Sequence, residues 1–242
     1  MIKLQNIHKT YPKQLGSPAH KALETISFHL KKGEVMGLIG ANGAGKSTTI
    51  RLIMDFIRPD QGDISVLGHP PSFPLIRQKI GYLPEVARFP QNLTCMEMIR
   101  FAGETCQMQR KQIEEAAEKW LTRLDLWHAK DRLLRGFSKG MQQRASFAMA
   151  LIHEPDLLVL DEPMSGLDPI GRAKIVALIL ELKQDGKSIL LCTHLLDDIN
   201  RIVDQLLVLH QGKVRYAGEL SNFYQEPSTV EEAFLNLISE EQ

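Results

Sequence analysis

The residues best placed for chemistry lie between Gly40 and Thr48. The stretch Val35-Met-Gly-Leu-Ile-Gly-Ala-Asn-Gly-Ala-Gly-Lys-Ser-Thr-Thr49 runs from an apolar segment through a glycine-rich turn into Lys46-Ser47-Thr48. Glycines at 40, 43 and 45 permit backbone dihedrals that turn successive N–H groups into one concavity. A helix starting near Lys46 adds unsatisfied N–H groups and the positive end of its dipole. This is chemistry for holding an anion. Gly40-x-x-x-x-Gly45-Lys46-Ser47 fits the phosphate-loop pattern, in the strand–loop–helix context the pattern requires. Lys46 can reach the β and γ phosphates of a nucleotide, and Ser47 can offer its hydroxyl oxygen to Mg²⁺.

A second constellation follows the apolar run Leu157-Leu-Val-Leu160, where Asp161 and Glu162 stand side by side. Ligands of parallel sheets bind off the carboxyl ends of strands. Asp161 is placed to hold a cation and Glu162 to polarise a water. Adjacent carboxylates repel, and a bound cation removes that objection. Alone, Asp-Glu-Pro is equally a strand-ending turn. Phe137-Ser138-Lys139-Gly140-Met141-Gln142-Gln143-Arg144 is the third feature. Ser138 reads first as a helix N-cap and secondly as part of another anion site. Gln142 and Gln143 read as helix-surface residues.

The elements that position these groups alternate. Strands are expected over Ile2–Ile7, Leu23–Leu30, Val35–Ile39, Asp63–Leu67, Lys79–Leu83, Leu157–Leu160, Ser188–Cys192, Gln205–Leu209 and Val214–Ala217. Lys13 to His20 reads as a loop. Thr94-Cys-Met-Glu97 is a capping box for a helix over Met96 to about Cys106. Ile113, Ala117, Trp120, Leu121 and Leu124 recur at helical spacing. A further helix begins at Ser138. Asp168-Pro169 is an N-cap with proline at the first helical position, for a helix to about Lys183. Thr229-Val-Glu-Glu232 caps a last helix with apolar face Val230, Phe234, Leu237 and Ile238. Strands alternating with helices indicate an α/β core with much of its sheet parallel.

Of 242 residues, 43% are hydrophobic and 24% charged, ordinary for a globular chain. Lys plus Arg and Asp plus Glu are each 29. That balance gives no global electrostatic case for nucleic acid. Cys95, Cys106 and Cys192 show no metal-ligand spacing and fit a reducing compartment. The N-terminus lacks the basic-then-apolar design of a signal peptide. No run of about 18 apolar residues exists, so work at a membrane would need another chain as anchor.

The order of motifs resembles the nucleotide-binding subunits of ABC transporters, over nearly the whole chain. Gly40–Ser47 matches their Walker A motif, and Leu157–Asp161 with Glu162 their Walker B motif and catalytic glutamate. Phe137–Met141 occupies the place of the signature motif. Ser165-Gly-Leu-Asp168 matches the D-loop, His194 the switch histidine, and Tyr11 the aromatic that stacks on adenine. The resemblance implies a P-loop NTPase core with a mixed, largely parallel sheet, an N-terminal antiparallel β subdomain and an inserted α-helical subdomain. It implies one ABC ATPase domain over 1–242. Residues 1–85 and 155–218 would form the nucleotide-binding core, 86–154 the helical subdomain and 219–242 a C-terminal helical extension.

The roles it implies are ATP contacts from Tyr11, Gly40, Asn42, Gly43, Gly45, Lys46, Ser47 and Thr48, with Ser138 and Gly140 contacting the γ-phosphate bound to a partner subunit. Ser47, Asp161 and Glu85 would serve Mg²⁺, and Glu162, His194 and Lys46 catalysis. Two departures stand out. Lys139 and Met141 replace a glycine and a glutamine of the signature, and Glu85 stands where the family has a γ-phosphate-sensing glutamine. Both resemble a branch of drug, antibiotic and polysaccharide exporters. The expected protein is an ATPase subunit, homodimeric, on the cytoplasmic face of a membrane through a separate permease, without nucleic acid. The alternative is a soluble, non-transport ABC ATPase acting on a macromolecular complex.

Overall fold

The computed structural model describes residues 1–12, 19–86, 88–224 and 229–239. Most of the loop expected over 13–20, and parts of the extension expected over 219–242, lie outside the described residues. In chain order the regular elements are strands β1 (Ile2–Tyr11), β2 (His20–Leu30) and β3 (Val35–Ile39), helix α1 (Lys46–Ile53), strands β4 (Gln61–Val66) and β5 (Ile80–Leu83), and helices α2 (Cys95–Thr105), α3 (Arg110–Arg123) and α4 (Lys139–Leu151). Then come β6 (Leu157–Asp161), α5 (Pro169–Gln184), β7 (Ser188–Cys192), α6 (Ile199–Ile202), β8 (Gln205–His210), β9 (Lys213–Glu219) and α7 (Val230–Ser239). Two compact units result, Met1–Ile76 with Lys183–Gln242, and Arg77–Leu182.

The first unit holds an antiparallel sheet of order β2-β1-β4. Strand β1 runs to Tyr11, beyond the Ile7 that alternation suggests. Its register shifts between Leu4 and Ile7, and Asn6 adopts a φ of 50°. A bulge of this kind puts Leu4 and Ile7 on the same buried face although they are an odd number of residues apart. In the same unit β3 pairs in parallel with both β7 and β8, and β9 closes antiparallel on β8. Every residue of β3 and β7 is buried. That explains continuous apolar runs in place of alternation.

Polar ties fix the ends of these strands. Asp204 accepts from the Val35 backbone N–H at 3.0 Å and pairs with Lys183 at 2.6 Å. The Ser188 hydroxyl accepts from Gly33 N at 2.8 Å. Helix α7 starts at the expected box, with Thr229 N donating to Glu232 Oε2 at 2.9 Å and Glu232 N to Thr229 Oγ1 at 3.1 Å. Of its apolar face only Val230 is fully buried; Phe234, Leu237 and Ile238 are half-buried.

In the second unit β5 and β6 run parallel, with Leu83 opposite Leu160. Helices α2, α3 and α4 pack on one another, and α4 packs on β5. The Thr94 box is complete, and Glu97 carries a depressed carboxyl pKa because the backbone and hydroxyl of Thr94 donate to it. Trp120 and Ile113 on α3 are buried, while Trp127 is half-buried. Among the described residues no helix is long and apolar enough to cross a membrane.

The tightest approach in this unit is at Gly81 on β5, where a Cβ would sit 2.3 Å from the carbonyl oxygen of Ala150 and 2.6 Å from Leu158. Overpacking of this kind costs about 1–3 kcal/mol. Gly81→Ala should therefore lower the urea midpoint by the equivalent of about 2 kcal/mol; an unchanged midpoint would contradict the packing described.

Candidate functional site

In the first unit the carboxyl ends of β3 and β7 lie together, since Leu38 faces Cys192 across the parallel pair. Gly40 follows β3 by one residue, and Thr193 and His194 follow β7 directly. Thr193 is fully buried, and its hydroxyl accepts from Leu195 N at 3.0 Å, fixing the turn that presents His194 at the surface.

The loop from Gly40 to Gly45 is braced from beneath. Gly212, in the turn between β8 and β9, donates to Ala44 O at 3.1 Å, and Glu24 N donates to Gly212 O at 2.7 Å. Gly45 has a φ of 109°, and a Cβ there would meet Leu23 Cδ2 at 2.5 Å and Ala22 O at 2.9 Å. Position 45 thus excludes side chains both by dihedral and by space. Gln211-Gly212 reads from sequence only as a turn; its support of the loop comes from tertiary contact.

Helix α1 begins directly after Gly45 with no side-chain cap and no acidic residue in its first turn. Its opening N–H groups are therefore available to an external acceptor. Lys46 Nζ donates to Gly40 O at 2.6 Å and Ala41 O at 3.1 Å, which sets the ammonium across the loop with one donor still to give. Ser47 and Asn42 are exposed beside it. The Tyr11 hydroxyl lies 3.4 Å from Thr48 Oγ1, so β1 brings its terminal aromatic to α1. Loop, lysine, hydroxyl and aromatic meet within one unit.

The second unit holds the other groups. Asp161 ends β6 and Glu162 follows; both are buried. Glu162 has a φ of 50°, a conformation costing a non-glycine residue about 1–3 kcal/mol and typical of functional sites. A turn closes behind it, with Ser165 N donating to Glu162 O at 3.0 Å. Glu85 follows Pro84 at the carboxyl end of β5, the neighbour of β6, and is exposed.

Ser138 caps α4, its oxygen accepting from Met141 N at 3.2 Å. A hydroxyl has two lone pairs and one proton, so the cap leaves the O–H free to donate to a phosphate. The D-loop segment packs against this terminus: a Cβ on Gly140 would lie 3.4 Å from Leu167, and one on Gly166 3.6 Å from Lys139 Cβ. Ser138, Lys139, Ser165, Gly166 and Asp168 are exposed, and Asp168 caps α5 through Gly171 N at 2.6 Å.

Gln143 is not a helix-surface residue. It is 5% exposed, and its side-chain amide donates to Glu162 O at 3.2 Å and Pro163 O at 3.1 Å. A signal existed in the sequence. Ala145 to Ile152 is small or apolar on every side, the mark of a helix buried all round. A polar residue on such a helix needs partners. Arg144 likewise reaches from α4 to Leu124 O at 2.9 Å and Asp125 O at 3.2 Å.

A family model described as ABC transporter matches residues 23–165. The chain belongs to the ABC transporter ATP-binding family. An uncharacterized ABC transporter ATP-binding protein of Methanocaldococcus jannaschii is 35% identical over 95% of this chain and 82% of its own length. The Nod factor export ATP-binding protein I of Sinorhizobium fredii is 36% identical over 88% of this chain and 61% of its own length. The dimeric structure of an ATP-binding cassette in a post-hydrolysis state, bound to ADP and Pi, superposes with a TM-score of 0.82 at 26% identity, covering 91% of this chain and 99% of that one. The chain is thus an ATP-binding subunit and an ATPase of the ABC type.

Lys46→Ala removes the ammonium but leaves the backbone cradle. Nucleotide affinity should fall at least about tenfold, the effect of a lost charge-assisted contact. Titration with a fluorescent ATP analogue measures it, and unchanged affinity would contradict the role given to Lys46.

Proposed function

We propose that this chain is the cytoplasmic ATPase subunit of an exporter, working as a head-to-tail pair beneath a separate membrane permease. The observation that carries the proposal is the exposure of two helix N-termini that suit phosphate. One is the uncapped N-terminus of α1 with Lys46; the other is the N-terminus of α4 with Ser138 and Gly140, backed by the D-loop. A pair of chains would enclose each triphosphate between the loop of one subunit and the signature of the other.

The donor chemistry suits Mg²⁺. Among the described residues no cluster of three or more His, Cys, Asp or Glu side chains could hold an ion. Mg²⁺ commonly binds through one or two carboxylates together with substrate phosphates. Ser47 and Asp161 would hold it, with Glu85 as a further carboxylate. When bound, it neutralises charge on the β and γ phosphate oxygens.

In the reaction Glu162 takes a proton from water, and the water oxygen attacks the γ phosphorus. The bond to the β-phosphate oxygen breaks, and its electron pair leaves with ADP. Lys46 offsets negative charge on the phosphates, His194 donates to the γ-phosphate, and Tyr11 stacks on adenine.

The surface that meets the permease is proposed to be a groove of about 280 Å³ in the helical unit. It is lined by Tyr82, Phe89, Met98, Met149 and His153 among others. Phe101, 59% exposed on α2, extends the apolar surface of that unit. The named export function of the Sinorhizobium relative supports the direction of transport.

Glu162→Gln keeps the shape and removes the base. It should retain ATP binding, lose at least about 100-fold in turnover and elute as a dimer in Mg-ATP. Turnover at the wild-type rate would contradict the assignment. Glu85→Gln should change the ATPase rate or its Mg²⁺ dependence; identical profiles would leave Glu85 as a surface residue.

A further inference from the structure

We infer that Gln143 is a positioning residue for the hydrolytic step, transmitting the position of the signature helix to the backbone that carries Glu162. The inference rests on Glu162 being the base.

Both of its hydrogen bonds leave from one nitrogen, so both amide hydrogens are committed, to Glu162 O and to Pro163 O. Glu162 O accepts a second bond from Ser165 N. The left-handed residue is thus held from the turn behind it and from the helix above it. Gln143 lies five residues after the capping Ser138, in the same rigid α4, about 7 Å along the helix axis. Any movement of the α4 N-terminus on a phosphate must carry the amide with it. Gln143 is 5% exposed, so water cannot replace the lost donor freely. Without the amide, Glu162 O would keep only the bond from Ser165 N and Pro163 O would lose this donor, loosening the loop and with it the carboxylate. The D-loop also runs close to the start of α4, where a Cβ on Gly166 would lie 3.6 Å from Lys139 Cβ. The amide, however, is the one that reaches the carbonyl of Glu162 itself.

Gln143→Met keeps length and volume and removes both donors. Gln143→Glu removes them and sets a carboxylate against two carbonyl oxygens. Each variant is made in the wild-type and in the Glu162→Gln background, as the full chain, and rates are normalised to the fraction that binds a fluorescent ATP analogue. That normalisation keeps partial misfolding from imitating the effect. The expected result is a loss of at least tenfold in kcat with KM for ATP within twofold, and no further loss of the residual rate in the Glu162→Gln background, because Gln143 acts through Glu162. A kcat within twofold of wild type for the binding-competent fraction would overturn the inference. So would an equal fold loss in both backgrounds, which is the signature of a general structural defect. Undiminished turnover in Glu162→Gln alone would instead remove the assignment of the base, and the inference with it.

Discussion

A helix starts with N–H groups that have no partner within it, and α1 starts at Lys46 with no side chain to supply one. Most helices solve this with a serine, threonine or aspartate cap, as α2, α4 and α5 do here through Thr94, Ser138 and Asp168. At α1 the acceptor must come from outside, and the glycine loop keeps the space open for it. Much of the first unit supports that arrangement. Strand β3 delivers the loop, Ala22 and Leu23 of β2 close in beneath Gly45, and Gly212 holds Ala44. The loop is kept stiff, so the cost of ordering it is met on folding and need not be met again on binding.

The second unit solves a different problem. Glu162 is set just past the strand that ends in Asp161, on a strained backbone held by hydrogen bonds from Ser165 and Gln143. Strain of this sort persists only where the surroundings over-determine it. The amide of Gln143 is part of that over-determination, and it ties the backbone of Glu162 to the helix that Ser138 caps at an exposed end.

Much of this was legible in residue order. The runs at Val35–Ile39 and Leu157–Leu160 read as strands because they are unbroken by polar residues, and the boxes at Thr94 and Thr229 start helices where the spacing places them. Tertiary effects set what was not legible. Asn6 interrupts the alternation of β1 with a bulge, so pattern alone ends that strand before it reaches Tyr11, the residue brought to α1. Gln143 looks like a solvent residue until α4 is seen to be buried on nearly every side. The apolar face of α7 reads as core, yet only Val230 is fully covered. Periodicity reports that a face is apolar; what covers it depends on the rest of the fold.

The central claim is that each nucleotide is enclosed by two chains. The most direct test carries Glu162→Gln in both chains, with Asn42→Cys in one and Lys139→Cys in the other, and joins them with a short bifunctional thiol reagent. The account predicts a covalent dimer of the two different chains that forms in Mg-ATP and is absent in ADP. Equal cross-linking in ADP and ATP would contradict it. So would joining of positions 42 and 139 within a single chain that carries both cysteines.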